Sequence, residues 1–214
     1  MKPQIIIGLT GKAGAGKDTV ADYLVTQKFT KIAYADRLRD DVCFAWGIAP
    51  ELLTERSTKE IPQTALAISG CQDSRFLQHI LIVLAGDDRS QWEIEARMPR
   101  APRWIMQRWG DYRRALFGAD YFLIELANKI AEIDGHIVVS DVRFDNEAQQ
   151  LNQLGAWLWQ IQRPNLTAVT HHASEQGIKS GWIDCDINNS GTIDHLIENA
   201  ADKLTLAIFG EKAA

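Results

Sequence analysis

The sequence predicts an α/β fold in which a doubly wound parallel sheet of about five strands carries a helical insertion between strands two and three. Short aliphatic runs, typical of strands buried on both faces, alternate with segments of helical spacing. A glycine-rich turn joins the first run to the first helix, and the stretch from Arg37 to Leu126 interrupts the alternation. With 214 residues, 46% of them hydrophobic, the chain is predicted to form one domain over 1–214 that contains the insertion at 37–126.

The strands follow the aliphatic runs, and the helices follow apolar residues that recur every three or four positions. The predicted strands are Gln4–Leu9, Lys31–Ala35, Ile137–Ser140, Ala156–Ile161 and Ile183–Ile187, and the predicted flanking helices are Asp18–Gln27 and Ile193–Ile208. Within the helix-rich insertion, the polar segment Gly86–Gln91 predicts a loop.

Charge and cysteine content exclude several classes of protein. The net charge of −5 argues against binding of polymeric nucleic acid, which requires a field of unpaired cations. The cysteines Cys43, Cys71 and Cys185 lack the spacing of a zinc site or a disulfide framework, which favours a reducing compartment. The first apolar run is too short for a membrane span or a secretory leader. We therefore expect a cytoplasmic chain with no membrane partner.

The most specific motif runs from Gly11 to Thr19, between the first strand and the first helix. Glycines let successive backbone N–H groups and the helix N-terminus face phosphates, while Lys17 reaches the β and γ oxygens. The motif is therefore predicted to be a phosphate loop (P-loop) that binds ATP. Asp18 replaces the usual Ser or Thr, so the hydroxyl of Thr19 is expected to meet the α-phosphate or, through water, Mg²⁺. The predicted ATP contacts in the loop are Gly14, Ala15, Gly16, Lys17, Asp18 and Thr19.

Charged residues follow strands two and three, at the sheet edge where ligands of parallel sheets bind. Asp36 and Arg37 follow strand two, and Asp141 and Arg143 follow strand three. Asp141 is predicted to orient Mg²⁺ or its water, and Arg143 to contact phosphate. The alternative for both carboxylates is a helix-capping role.

The insertion ends in an arginine-rich segment of helical spacing. Arg103 and Gln107 share one helix face and are able to present a cation and an amide to one ligand. The alternative is a solvated basic face over core tryptophans. A phosphate acceptor is already anionic, whereas a hydroxyl acceptor must lose a proton to a base. The arginines therefore predict a phosphorylated acceptor. The arginines of the segment are Arg97, Arg100, Arg103, Arg108, Arg113 and Arg114.

Together these motifs resemble those of the phage-type deoxynucleoside monophosphate kinases, within the P-loop nucleoside monophosphate kinase group. The order and spacing of the motifs make the resemblance specific, and it covers nearly the whole chain. The matching stretches are Gly11–Thr19, Ala35–Arg39, Ala45–Gly47, Pro102–Arg114, Ser140–Ala148, Arg163–Pro164, His172–Glu175 and Asn189–Thr192.

The resemblance implies phosphoryl transfer from ATP, with Mg²⁺, to a deoxynucleoside 5′-monophosphate, in the host cytoplasm if the chain is phage-encoded. It implies that Lys17, Arg143 and Asp141 are catalytic, that Glu147 orients Arg143, and that Asn189 lies near the adenine. It leaves a homodimer open. The implied acceptor-binding residues are Asp36, Arg37, Arg103, Gln107, Gly110, Asp111, Arg114 and Glu147.

Departures from the family pattern and two other functions bear on these implications. The family often has Gly-Thr-Asp where this chain has Gly110-Asp111, and Pro where it has Arg37. A dephospho-coenzyme A kinase would use Asp36 as a general base, and a nucleotide-binding switch would transfer nothing. Tyr112 or a neighbouring tryptophan is predicted to block a ribose 2′-hydroxyl. Segment 164–182, which contains the adjacent His171 and His172, predicts a loop near the nucleotide and not a metal site.

Overall fold

The computed structural model describes residues 4–55, 57–164, 166 and 177–210. Much of the predicted loop at 164–182, including His171, His172 and the motif His172–Glu175, lies outside these ranges. The chain divides into two compact units, one formed by 1–34 with 123–214 and the other by 35–122. We call them the sheet unit and the helical unit. No helix in the described ranges combines the length and the apolar character that a membrane crossing would require.

Strands and helices alternate along the sheet unit, and helices alone make up most of the helical unit. The strands are β1 Ile6–Thr10, β2 Phe29–Ile32, β3 His136–Val139, β4 Trp157–Gln162 and β5 Cys185–Asn188. The helices are α1 Lys17–Thr26, α2 Ala35–Trp46, α3 Glu51–Thr54, α4 Ser74–Ala85, α5 Arg89–Arg97, α6 Pro102–Phe117, α7 Tyr121–Ala131, α8 Asp145–Gln153 and α9 Ile193–Phe209.

The five strands form one parallel sheet in the order β2-β3-β1-β4-β5. Strand β1 lies between β3 and β4, with Gly8 opposite Val139 on one side and Leu158 on the other. Because every strand runs in the same direction, all five carboxyl ends meet at one edge. The predicted α/β fold with a doubly wound parallel sheet is confirmed.

Side chains that alternate along β1 show how both faces of the sheet are covered. Ile7 and Leu9 are fully buried in a core that includes residues of α1 and α9. Gly8 points to the opposite face, where a Cβ atom would come within 2.8 Å of Leu151 on α8. Helices therefore flank the sheet on both sides, which explains why β1 lacks polar alternation and carries only one polar residue, the buried Thr10.

The helical unit has a separate aromatic core. Trp109 packs against Trp46 and Phe76, with ring centroids 5.5 Å and 4.8 Å away. Tyr112, one turn further along α6, lies 5.2 Å from Phe76 and is only 4% exposed. Its ring is part of this core, and the contact of Tyr112 or a neighbouring tryptophan with a ribose 2′-hydroxyl stays a prediction.

Most bounds of the predicted strands and helices differ from the structure by one to three residues, and two of the differences have a local cause. Strand two ends at Ile32, because Ala35 already begins α2 and residues 33–34 leave the ladder. The segment Gly86–Gln91 is not a loop throughout, since α5 begins at Arg89. Asp88 caps that helix by accepting a hydrogen bond from the N–H of Ser90. The capping residue therefore starts a helix within a segment whose polar composition predicted a loop.

Candidate active site

Glycines shape the predicted phosphate loop between β1 and α1. Gly11 has φ +136°, and a Cβ atom there would lie 2.4 Å from the carbonyl oxygen of Ile161. Gly16 has φ +110° immediately before α1, where a Cβ atom would approach the Asn189 amide to 2.7 Å. At Gly11 both the positive φ and the Ile161 backbone exclude a side chain, whereas at Gly16 the positive φ alone requires glycine. Glycines at these positions let the backbone curl as it does in phosphate-binding loops, where N–H groups and a helix N-terminus face an anion.

The ammonium group of Lys17 folds back over this loop. Its Nζ donates to the carbonyl oxygens of Gly11, at 2.6 Å, and Lys12, at 3.0 Å. Asp18 points elsewhere: its carboxylate is 79% exposed and lies 3.7 Å from the Lys31 Nζ. Asp18 can therefore contribute its backbone N–H, but not its side chain, to phosphate binding. Lys17, by contrast, places a cation on the loop.

Two side chains from other strand ends hold the loop in shape. The Asn189 Nδ2, just after β5, donates to the Ala15 carbonyl at 2.7 Å. The Arg163 Nη1, just after β4, donates to the Gly14 carbonyl at 3.4 Å. Asn189 thus contacts the loop directly, in addition to any contact with adenine that the resemblance implies. Arg163 was not among the predicted site residues, although the shared Arg163–Pro164 motif marked its position.

The segment from Asp141 to Glu147 follows β3 at the same edge of the sheet. Asp141 is 9% exposed, and its Oδ1 accepts a hydrogen bond of 2.7 Å from the backbone N–H of Tyr34. Glu147 is 4% exposed, and its Oε2 accepts from the N–H groups of Arg143, at 2.7 Å, and Phe144, at 3.1 Å. Glu147 therefore fixes the backbone from which the half-buried Arg143 side chain extends.

The oxygen atoms of Thr19 and Asp141 are ligands of the kind that Mg²⁺ prefers. Asp141 is fixed through one oxygen, which favours a constant carboxylate orientation. Within the described part of the chain, no three His, Cys, Asp or Glu side chains are grouped as a metal site would require. The donor set therefore fits an ion that takes most of its ligands from ATP oxygens and water, with one or two ligands from the protein.

In the helical unit, α6 carries the predicted acceptor residues on one face. Residues of the opposite face, such as Ile105 and Trp109, are fully buried in the aromatic core. Pro102 occupies the first turn of α6, where its missing N–H costs no hydrogen bond. The helical period thus separates a core face from a polar face. The polar face carries Arg103, Gln107, Gly110, Asp111 and Arg114.

Ion pairs orient the arginines of this polar face. Arg103 pairs through its Nε with the Glu60 carboxylate, and its backbone N–H donates to the Lys59 carbonyl. The Arg114 Nη1 lies 3.8 Å from the Asp111 Oδ1 and would lie 3.3 Å from a Cβ atom at Gly110. Glycine at position 110 therefore leaves room for the Arg114 guanidinium.

The amide of Gln107 has an unusual environment on the same face. Its Nε2 is buried and has no hydrogen-bond partner among the described residues. Burying an amide donor without a partner costs about 1–3 kcal/mol, so such groups usually have a function or a bound ligand. Among the described residues, four other buried nitrogens also lack a hydrogen-bond partner, at Trp109, Trp159, Arg100 and Arg113. The two indoles belong to the two cores, and the two guanidinium groups form ion pairs with Glu95 and Asp41.

The start of α2 carries the other predicted acceptor residues, on two different sides. Asp36 pairs with Arg39 one turn along the helix. Arg37 instead faces the buried Asp41, whose Oδ1 lies 3.0 Å from the Arg37 Nε and whose Oδ2 lies 3.1 Å from the Arg113 Nε. These three residues line a cavity of about 570 Å³ with Gln72, Asp73 and others, whereas Asp36 does not line it.

We expect Asp41→Asn to lower the free energy of unfolding by about 2–3 kcal/mol, because it removes the charge that compensates two arginines while Asp41 is only 8% exposed. Chemical denaturation of the full chain measures this change. Asp40→Asn, at the neighbouring exposed position, is the matched control and should change the value by less than about 0.5 kcal/mol. If Asp41→Asn changed the free energy of unfolding as little as Asp40→Asn does, the ion cluster around Asp41 would contribute nothing to stability.

Comparison with known proteins identifies relatives over most of the chain. Residues 103–200 match the family model described as deoxynucleotide monophosphate kinase. A putative deoxynucleotide monophosphate kinase of Acanthamoeba polyphaga mimivirus is 29% identical over 82% of this chain and 83% of its own length. The deoxynucleoside-5′-monophosphate kinase of Escherichia phage T5 is 24% identical over 86% of this chain and 89% of its own length.

A solved structure also aligns along most of the chain. The dephospho-CoA kinase from Campylobacter jejuni covers 95% of this chain and 97% of its own, with 13% identity and a TM-score of 0.40. The family match begins at Arg103 and includes the polar face of α6, the segment Asp141–Glu147 and Asn189. The matches in sequence confirm the resemblance that the motifs predicted.

Proposed function

We propose that this phosphotransferase, which resembles the phage-type deoxynucleoside monophosphate kinases, transfers the γ-phosphoryl group of ATP to a deoxynucleoside 5′-monophosphate. The products are the deoxynucleoside diphosphate and ADP. The observation that carries the proposal is the presence in one chain of a phosphate loop and an arginine-bearing face on α6, the latter inside the segment that matches the family.

On the donor side, backbone N–H groups of Gly14 to Thr19 bind the ATP phosphates, and Lys17 neutralises charge on the transferred group. Arg163 and Asn189 support this by fixing the loop carbonyls, so that the N–H groups keep one orientation. Mg²⁺ held with Thr19 and Asp141 would neutralise further phosphate charge. Arg143 contacts the moving phosphoryl group from a backbone position set by Glu147.

On the acceptor side, Arg103 and Arg114 provide cations for a monophosphate, and Gln107 provides an amide donor. The buried Gln107 Nε2 supports this role, because a ligand acceptor atom would satisfy a donor that the described residues leave unsatisfied. The acidic neighbours Glu60 and Asp111 hold the two arginines in defined orientations. The other members of the proposed acceptor set are Asp36, Arg37, Gly110, Asp111 and Glu147.

The proposal is tested by measuring ADP release with ATP, Mg²⁺ and a panel of all deoxy and ribo monophosphates, with dephospho-coenzyme A included. We expect turnover with deoxynucleoside monophosphates. Activity confined to dephospho-coenzyme A, and lost in Asp36→Asn, would replace the proposal with a kinase for a hydroxyl acceptor. Tight ATP binding without transfer to any member of the panel would indicate a nucleotide-binding switch.

The substitution Gln107→Leu tests the acceptor site through two measurements, the Michaelis constant for the monophosphate and the free energy of unfolding. It should raise the Michaelis constant for the monophosphate about tenfold, because a donor to the acceptor is lost. It should not lower the free energy of unfolding, because the buried donor has no partner among the described residues. The control is Gln91→Leu, at an exposed position on α5, which should leave the Michaelis constant unchanged. A Michaelis constant unaffected by Gln107→Leu would remove Gln107 from the site.

A further inference from the structure

Tyr34 lies between β2 and α2, at the carboxyl edge of the sheet, and is 5% exposed. Its backbone N–H donates to the Asp141 Oδ1 at 2.7 Å. Its hydroxyl lies 3.1 Å from the Glu147 carbonyl oxygen and 2.9 Å from the Gln150 Oε1, and shares its one proton between these two acceptors in a bifurcated hydrogen bond. One residue therefore contacts both ends of the segment that carries Arg143.

The contact with Glu147 reaches Arg143 through two hydrogen-bonded steps. The Tyr34 hydroxyl holds the backbone of Glu147 in the first turn of α8. The Glu147 Oε2 in turn accepts hydrogen bonds from the N–H groups of Arg143 and Phe144. A displacement of Glu147 would consequently displace the backbone at Arg143, whose side chain must meet a phosphoryl group within a few tenths of an ångström.

The amide of Gln150 is itself fixed, which makes it a defined acceptor for the hydroxyl. Its Nε2 donates to the Leu123 carbonyl at 2.8 Å, so its Oε1 is the end that faces Tyr34. The Tyr34 hydroxyl is therefore the donor in this contact.

We propose that Tyr34 is a positioning residue for phosphoryl transfer, and that its side chain holds the 141–147 segment in the geometry in which Arg143 reaches the transferred group. The proposal rests on the function proposed above and adds a residue to its machinery. Tyr34 itself need not touch either substrate, because its effect passes through Glu147 to Arg143 and through the backbone N–H to Asp141.

The substitution Tyr34→Phe removes the hydroxyl and keeps both the ring and the backbone N–H. We expect kcat to fall on the order of tenfold while the Michaelis constants for ATP and the monophosphate change by less than about twofold. Circular dichroism and the melting temperature establish that the variant is folded in the assay. Tyr23→Phe, on α1 of the same unit, is the control and should leave kcat unchanged. An unchanged kcat in folded Tyr34→Phe would overturn the proposal.

Amide hydrogen exchange supplies a second measurement that needs no substrate. In the free protein, Tyr34→Phe should accelerate exchange at the N–H groups of Arg143 and Phe144 about tenfold, and leave the sheet amides of Val138 and Leu158 unchanged. Equal acceleration at all four amides would indicate general destabilisation and would overturn the proposal. If the wild-type chain phosphorylates no monophosphate, the proposed function fails. The exchange data then still decide whether Tyr34 orders the segment.

Discussion

Lys17→Met is expected to reduce kcat by at least about a hundredfold. Methionine keeps most of the length and apolar stem of lysine but removes the charge. The Lys17 Nζ lies 2.6 Å from the Gly11 carbonyl oxygen, so the cation is already on the loop that would hold the β and γ phosphates. Charge that spreads over the transferred phosphoryl group is stabilised by a fixed cation, and this stabilisation is greatest in the transition state.

The measurement is steady-state ADP release at saturating ATP and deoxynucleoside monophosphate, with ATP affinity determined separately by titration. Lys31→Met is the matched control, because Lys31 lies in the same unit and pairs with Asp22 at 2.8 Å on the outside of α1. It should retain kcat within about twofold. If Lys17→Met raised only the Michaelis constant for ATP, Lys17 would contribute uniform binding, and its proposed role in the transition state would be wrong.

The parts of the fold that the sequence predicts are those set by local patterns. A strand buried on both faces lacks polar alternation, so β1 is recognisable from the aliphatic residues Ile6, Ile7 and Leu9, which lie on both of its faces. The loop after it requires positive φ angles at Gly11 and Gly16, which leaves glycines at fixed spacing. The helical period of α6 likewise separates Trp109, in the core, from Gln107 on the polar face.

Contacts between residues that are far apart in the sequence leave no comparable pattern in it. Tyr34 and Glu147 are 113 positions apart, and Arg163 and Gly14 are 149 apart. Nothing near Tyr34 in the sequence distinguishes its ring from an ordinary core residue, because its role depends on which strand end lies beside β2. Arg163 was detectable only as part of a motif shared with a family, since one arginine after a strand has many uses.

In the helical unit, too, the partners of polar side chains could not be predicted from the sequence. Arg37 was predicted to bind the acceptor from its position after strand two, yet its guanidinium also pairs with the buried Asp41 on the cavity side of α2. Asp41 was not predicted at all, because a carboxylate in a helix usually faces solvent. Its burial depends on Arg113, which approaches from another helix. Side-chain pairing of this kind is decided by tertiary packing and not by helical period.

Arg143→Ala is likewise expected to reduce kcat by at least about a hundredfold, with a smaller change in the Michaelis constants. The substitution leaves the backbone N–H at position 143, which donates to the Glu147 Oε2 at 2.7 Å, so the segment should keep its structure. The loss would then report the guanidinium alone. Arg143→Lys keeps the charge but not the planar pair of donors, and we expect it to recover only part of the lost rate.

Three kinetic measurements separate the possible roles of Arg143. A reduced kcat with little change in the Michaelis constants places the contact in the transition state, whereas a raised Michaelis constant with normal kcat would refute that assignment. The control Arg108→Ala removes an exposed arginine of α6 and should have little effect. If Tyr34 acts through Arg143, then Tyr34→Phe should reduce kcat in the wild-type background but add little to Arg143→Ala. Additive losses in the double variant would instead mean that the two residues act independently.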